Sequence, residues 1–546
     1  MLRKISRPAR ITGAPKVIGE ILLCAFSALL LFAAFPYFNK EYLAWFAFVP
    51  WFFAIQGKPR LRALLLSYLT GIFFWGLLVY WIIHVTLAGV IGLVMFLSLY
   101  FAGFGLIVSA VRVRFSTAKI VFISSAWVLI EFLRSHLLTG FPWGLLGYTQ
   151  YRQLSLIQIA AVTGVWGISF LVMAVNICVY GFLSELFSFR PAQVAPRPGQ
   201  EDGRARASAQ RPFGQRLKPV IFVIGLVLVC YGYGLDQLRE MRIPAAAQHR
   251  IAMVQGNVSH EDKWRSGAED GIMRRHLEFS RLMLEKMALE KKEVELLVWS
   301  EAALPVVLED NPEYFQQAKD FTVKYKVPLL LGAITHRGLG NFYNSALLLS
   351  SSGEVTQTYD KIHLVPFGEY VPLRAIFPFL ETLAPIGELA PGREFTVFHL
   401  LFFNRPALDF STLICFEDMF PEMARKCVRS GAKMLINITN DAWYRFSAAT
   451  YQHCQAAVFR AVENRVPLVR CANTGVSCFI DAHGRITGVL TDGAGRELFV
   501  PGMAESMVVV DRFAAPTMYT RYGDFFVGLC LAVVLLGALM YWKKKK

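Results

Sequence analysis

The stretch Phe410–Met423, FSTLICFEDMFPEM, decides how this chain is read. An apolar run ends in Cys415, the carboxylates Glu417 and Asp418 follow at once, and Pro421 opens what reads as a helix. Free cysteine is among the most buried residue types, so one reading makes Cys415 a small core hydrophobe. The other makes it a nucleophile at a strand-to-helix corner. The surrounding sequence has to choose between them.

Outward from this stretch, residues 245–510 have the composition of an ordinary α/β protein. Apolar runs of strand length occur at IAMVQGNV, LLVWSE, VPLLLGAI, NSALLLS, STLICFE, MLINITN and PLVRCANTGVSCFI. Helical patterns lie between several of them. In the first, Met273, Leu277, Leu284 and Met287 share a face opposite Arg274, Glu278, Arg281 and Glu285; the others cover 312–326, 420–430 and 447–465. Strands alternating with helices and hairpins predict a layered α/β sandwich, and about 265 residues suffice to bury a substantial core.

Two further strings resemble the first in placing a polar residue at the end of an apolar or aromatic run: WSEAALP with Glu301 and YDKIHLVPFGEY with Lys361. Alone, Glu301 could cap a helix and Lys361 could be a solvated loop lysine. Together with Cys415 they have a shared chemistry. A cysteine nucleophile needs a base or a positive field, and a lysine aimed at a developing oxyanion stabilises it most in a dry site. One carboxylate, one amine and one thiol suffice for acyl transfer.

The whole chain has 546 residues, 55% of them apolar, and a formal charge of +16. Spans of about 20 apolar residues recur. Eight are expected, near 17–37, 43–57, 63–84, 88–111, 119–134, 157–186, 218–236 and 522–542, the second and fifth being short. The basic amino terminus precedes an apolar run but no small-residue cleavage site follows, so the first run reads as an uncleaved helix. Lys and Arg collect in the amino terminus, at Lys58, Arg60 and Arg62, at Arg112, Arg114 and Lys119, in 190–218, and at Lys543 to Lys546. Eight spans put all of these on one side, which the positive-inside rule makes cytoplasmic, and put 237–521 outside. The positive charge is then explained by topology and anionic lipid, not by nucleic acid. The expected organisation is a membrane domain over 1–244 with seven spans and a flexible cytoplasmic linker near 187–217, a catalytic domain over 245–510, and an eighth span with a basic tail over 511–546.

Motif absences narrow the chemistry. There is no C-x-x-C pair or H-E-x-x-H for zinc, no P-loop, and no dinucleotide fingerprint after a strand, so neither metal nor cofactor is expected. Cys415, Cys427, Cys454, Cys471 and Cys478 fall in the extracytoplasmic domain, where disulfides could form; an odd number leaves at least one free.

At Glu301, Lys361 and Cys415 the chain resembles the nitrilase superfamily, whose members use a Glu, Lys, Cys triad in that chain order on an αββα sandwich. VQGNV, WSE, DKIHLVPFGEYVP, ICFED, NITNDAW, QH and NTG occur in sequence between the last two spans. LAWFAFVPWF, FFWG, YWI, LRSHLLTGFPWGLLGYTQ and GVWGISFLV precede them. In these the chain is similar to the bacterial apolipoprotein N-acyltransferases, a membrane branch of that superfamily. The resemblance implies a multi-span helical membrane bundle carrying an extracytoplasmic nitrilase-like domain in the inner membrane, on the periplasmic side. It implies transfer of a fatty acyl chain from a phospholipid to the α-amino group of the diacylglyceryl cysteine of an apolipoprotein, through a cysteine thioester. Glu301 would be the base, Lys361 the electrophile and Cys415 the nucleophile, with Glu369 supporting the lysine and Glu417 orienting the site. Trp443 and Arg445 would lie along the path of substrate.

There are departures. NDAWYRFSAATYQH carries Tyr444, Arg445 and Thr450 where the family usually has Phe, Gly and Pro, and ICFED has Phe416 where Tyr is common. LVPFGEYVPLRAIFPFLETLAPIGELAPG is rich in aromatics and proline. It is either a loop packed on its own domain or an arm whose Phe367, Phe377 and Phe379 guide an acyl chain. Glu131 and Arg134, three apart on a helix, read as an internal pair. Two other functions remain open on the sequence: a membrane-tethered amidohydrolase using the same triad, and a transporter with a regulatory outer domain. The latter would need ionisable residues or broken helices along a path at the midplane, and few candidates are present.

Overall fold

The computed structural model describes residues 14–111, 115–187, 213–239, 247–263, 265, 267–338, 340–371, 389–403 and 405–543. They form two compact units. One comprises the chain up to Arg134, Ser169–Val227 and the stretch from Leu529 onward; the other comprises Ser135–Ile168 and Leu228–Gly528.

The first unit is helical. Among the described residues five helical segments are long and apolar enough to cross a bilayer: Lys16–Ala34, Arg60–Leu78, Leu87–Ala110, Val165–Leu186 and Leu217–Arg239. The other three expected spans differ, each for a visible reason. The second is broken into a 3₁₀ turn, Glu41–Trp45, and a helix of 7 residues, Val49–Ile55, with Pro50 in its first turn. Asn176 satisfies the backbone groups freed at the break, accepting from Phe48 N at 2.8 Å and donating to Ala44 O at 2.7 Å. The fifth, Thr117–His136, has the length but carries Lys119, Glu131 and Arg134. The eighth has a short apolar part, Phe525–Met540. The sixth starts later than expected, at Val165, because Gly164 at φ 65° separates it from the short helices Leu154–Ile157 and Ala160–Thr163. Aromatic packing fills this unit: Trp51 stacks on Phe104 at 5.4 Å, and Phe48 meets Trp127 edge-on at 4.9 Å. Glu131 and Arg134 are buried, the Arg134 guanidinium lying 4.8 Å over the Trp75 ring.

The second unit contains two sheets. In the first run β1 (Ala247–Gln255), β2 (Leu296–Trp299), β3 (Leu304–Val307), β4 (Leu329–Arg337), β5 (Asn341–Leu349), β6 (Val355–Asp360) and β13 (Gly502–Val510). Their order is β13-β1-β2-β4-β5-β6, with β3 also on β4. The second holds β7 (Phe398–Phe402), β8 (Arg405–Ile414), β9 (Met434–Thr439), β10 (Leu468–Ala472), β11 (Cys478–Ile480) and β12 (Ile486–Val489), in the order β12-β11-β10-β9-β8-β7. The centres, β1-β2-β4 and β8-β9-β10, are parallel, and β2, β9 and β10 are buried along their whole length, as strands covered on both faces are.

Each sheet has helices on one side and the other sheet on its other side. Met273, Met283 and Met287 of the helix Glu269–Leu289, with Ala318 and Phe321 of Pro312–Tyr325, close over Leu297, Trp299, Leu329 and Leu331. The second sheet carries Pro421–Arg429 and Ala449–Asn464. Between the sheets, Cys471 Sγ donates to Val254 O at 3.4 Å. This is the expected αββα sandwich. All nine cysteines are unpaired and buried; the nearest approach to a bridge is Cys454 to Cys478, with sulfurs 3.8 Å apart.

Candidate active site

Parallel strands present the residues after their carboxyl ends on one edge, where α/β sheets place their chemistry. Glu301 lies two residues past β2, Cys415 directly follows β8, and Asp441 follows β9. Lys361 directly follows β6 of the first sheet. The fold thereby gathers residues far apart in sequence.

Cys415 opens a 3₁₀ turn with φ 53°, the left-handed region, which costs a side-chain-bearing residue about 1–2 kcal/mol. Neighbours hold it there. Asn437 Nδ2 donates to the carbonyls of Leu413 (3.1 Å) and Cys415 (3.2 Å), and His453 Nε2 lies 3.3 Å from the same Cys415 oxygen. The carboxylate of Glu417 accepts from Ile414 N at 2.7 Å, bracing the turn from below. It also accepts from Ile362 N (2.8 Å), His363 N (3.0 Å) and the Tyr359 hydroxyl (2.8 Å). One carboxylate thus fixes both the cysteine turn and the chain beside Lys361. Burial pushes the Glu417 carboxyl up to about 7 against these donated bonds.

Lys361 is 1% exposed, which removes the solvated-loop reading. Its Nζ sits 2.9 Å from Glu369 Oε1 and 3.5 Å from Glu301 Oε1. Burial works to lower the ammonium, but the Glu369 and Glu301 carboxylates outweigh it and hold it above the ordinary lysine range. Asn344, which no motif singles out, donates through Nδ2 to Glu301 (2.7 Å) and Glu369 (3.0 Å). The Cys415 thiol is pushed up, first by burial and then by the Glu301 charge, with Lys361 opposing. At rest it is a thiol, and it reacts only if a base takes its proton.

The backbone at Glu301 is crowded. A Cβ on Gly332 would lie 2.4 Å from Ser300 O and 2.9 Å from Glu301 Cα, so only glycine fits there. Behind Cys415 a fully buried network of charges fills the core. His453 pairs with Asp418 (2.7 Å) and Asp441 (3.0 Å), and Arg470 pairs with the same two residues at 3.0 and 2.9 Å. Gly475 of the NTG string is required for the same steric reason as Gly332, since a Cβ would meet Asp441 Oδ2 at 2.0 Å.

The remaining expected residues lie around this centre. Trp443 is 38% exposed and packs against His260, the rings tilted by 39° with centres 3.9 Å apart. Arg445, where glycine is usual, sits at φ 48° and bridges Glu261 at 3.0 Å. Phe367 is exposed; Phe377 and Phe379 lie outside the described residues. Phe416 packs edge-on against Phe420 at 5.1 Å. Trp143, from the GFPWG string, is buried and donates to Gln452 at 2.7 Å. Among the described residues no group of three or more His, Cys, Asp or Glu side chains is arranged to hold a metal ion.

Comparison with known proteins matches both parts of this arrangement. Residues 250–497 match the carbon-nitrogen hydrolase family, and residues 27–178 match the apolipoprotein N-acyltransferase N-terminal domain. The apolipoprotein N-acyltransferase of Geobacter metallireducens is 35% identical over 545 residues, 96% of each chain. The chain belongs to the apolipoprotein N-acyltransferase family. Apolipoprotein N-acyltransferase 1 of Treponema denticola is 29% identical over 95% of each chain. The apolipoprotein N-acyltransferase of Rhodopseudomonas palustris is 30% identical over 83% of this chain and 79% of its own. As a member of this acyltransferase family, with five helices among the described residues long and apolar enough to span a bilayer, the protein is a membrane enzyme.

Proposed function

We propose that the protein transfers a fatty acyl chain from a phospholipid to the α-amino group of a diacylglyceryl cysteine at the start of an apolipoprotein, the last step of lipoprotein maturation. The observation that carries this reading is the Lys361 ammonium, buried between Glu369 and Glu301 and within electrostatic reach of Cys415. Glu301 takes the thiol proton, and the Cys415 thiolate attacks the ester carbonyl of the phospholipid. The electron pair moves onto oxygen, where Lys361 stabilises it. Collapse breaks the ester C–O bond. The lysophospholipid alkoxide leaves with the proton held by Glu301, and a thioester remains. The acceptor amine then attacks that thioester, Glu301 takes its proton, and the thiol is regenerated as the amide forms.

Both substrates are lipid-anchored. Extracting an acyl chain into water costs roughly 0.8 kcal/mol per CH₂. A catalytic domain attached to the bilayer avoids most of that cost and confines enzyme and substrates to one layer. Eight spans, with 245–510 on the periplasmic face of the inner membrane and the 187–217 linker in the cytoplasm, fit the distribution of Lys and Arg. Phe367, Trp443 and Arg445 border the route of the lipids.

The discriminating experiment supplies the full-length protein, in phosphatidylethanolamine vesicles, with a diacylglyceryl peptide bearing a free amine. Acylated peptide and lysophospholipid in equal amounts support the transfer. Free fatty acid without acylated peptide would make the protein an amidohydrolase-type enzyme that uses water.

A further inference from the structure

The active site holds a second buried cation that the reaction above does not use. Lys263 is 2% exposed and its Nζ donates to the main-chain carbonyl of Glu301 at 3.0 Å. That carbonyl lies on an irregular stretch between β2 and β3, where Ala302 has φ 41° and Ala303 N reaches across to Gly332 O at 2.9 Å. The base therefore sits on a bend that no regular ladder holds. The short helix carrying Lys263, His260–Lys263, is itself fastened to the loop after β9 by the tilted His260–Trp443 ring contact and the Glu261–Arg445 pair.

We propose, on the reading of Glu301 and Cys415 given above, that Lys263 is a positioning residue. It pins the main chain of Glu301 and sets a second ammonium beside the base and the nucleophile, so that the negative charge is stabilised as it passes from Glu301 to Cys415 in a closed site. The ionisable groups facing it are Glu301, Cys415, His276 and His260. Burial pushes His276 down to about 4, leaving its ring neutral at working pH. Burial also lowers Lys263, to about 8, against the pull of Glu301 and Cys415. The stabilising charge is thus present at neutral pH and is lost just above it.

The test is the pH profile of single-turnover thioester formation on Cys415, measured with the full-length protein in phosphatidylethanolamine vesicles. The wild-type rate should fall through about pH 8 as Lys263 loses its charge. Lys263→Met should abolish the alkaline fall and slow the reaction at pH 7 at least ~10-fold. Lys263→Arg keeps a charge that does not titrate, so its alkaline fall should also disappear. If Lys263→Met does not fold, the alkaline limb of Lys263→Arg decides alone. A wild-type alkaline midpoint in the variants, whatever their amplitude, would make Lys263 merely structural and overturn the proposal. Absence of any thioester in the wild type would instead overturn the mechanism on which it rests.

Discussion

The carboxylate of Glu417 accepts the main-chain N–H of Ile362 at 2.8 Å, tying the nucleophile's turn to the residue that follows Lys361. The same side chain takes the N–H of Ile414 and of His363 and the hydroxyl of Tyr359. Glu417→Gln turns one acceptor into a donor and sets it against N–H groups in a dry site. It should destabilise the fold by ~2 kcal/mol or more, the cost of unmatched buried polar groups. It should also slow thioester formation at least ~10²-fold through lost alignment. Thermal unfolding in detergent and single-turnover acylation check the two effects separately.

Lys361→Ala should abolish acyl transfer, since an oxyanion stabiliser contributes roughly 3 kcal/mol to the barrier. It should not be silent in stability, because Glu369 and Glu301 lose the cation between them. Lys361→Arg should also fail, its planar fork being too wide for a slot shaped around one ammonium. Near-normal turnover in either variant would take Lys361 out of the mechanism.

Glu301→Gln keeps an oxygen for Asn344 while removing the base. With the thiol held protonated by burial, acyl-enzyme formation should slow at least ~10²-fold. Phospholipid binding should be unchanged. Normal acylation with failed transfer to the amine would confine Glu301 to the second half-reaction.

The triad and the sandwich were legible because of local patterns: strand-length apolar runs leading into WSE and ICFED, and the string DKIHLVPFGEY that carries Lys361 and Glu369. Less legible were residues whose role arises only through tertiary contact. Asn344 lies within a strand and shows no pattern, yet it bridges two carboxylates. Lys263, in the polar string HEDKW, belongs to no motif in the sequence, yet it is buried against Glu301. The edge strands β6, β7, β12 and β13 are only partly buried and lie outside the apolar runs quoted above. Hydropathy also merged the broken element 41–55 into one span, because a 3₁₀ turn and a helix are equally apolar.

His453 gives a pH dependence of stability. Burial opposes its charge, but Asp418 and Asp441 outweigh burial and raise it to about 9. Its folded pKa is above the unfolded value of about 6.5, so its contribution is complete below pH ~6.5 and is lost as pH rises through ~9. The stability gap between wild type and His453→Gln should therefore narrow over that window, by up to ~3 kcal/mol. A gap independent of pH would mean that the ring is neutral in the folded protein.

The most direct test of the account is chemical. Phospholipid given to the full-length protein without an amine acceptor should leave a fatty acyl thioester on Cys415 and release lysophospholipid. Peptide mass spectrometry with a hydroxylamine chase locates the adduct, and a diacylglyceryl peptide should then discharge it with ping-pong kinetics. The adduct should be absent in Cys415→Ala and intact when Cys427, Cys454, Cys471 or Cys478 is replaced. An adduct on another cysteine, or full transfer activity in Cys415→Ala, would contradict the account and return Cys415 to a packing role.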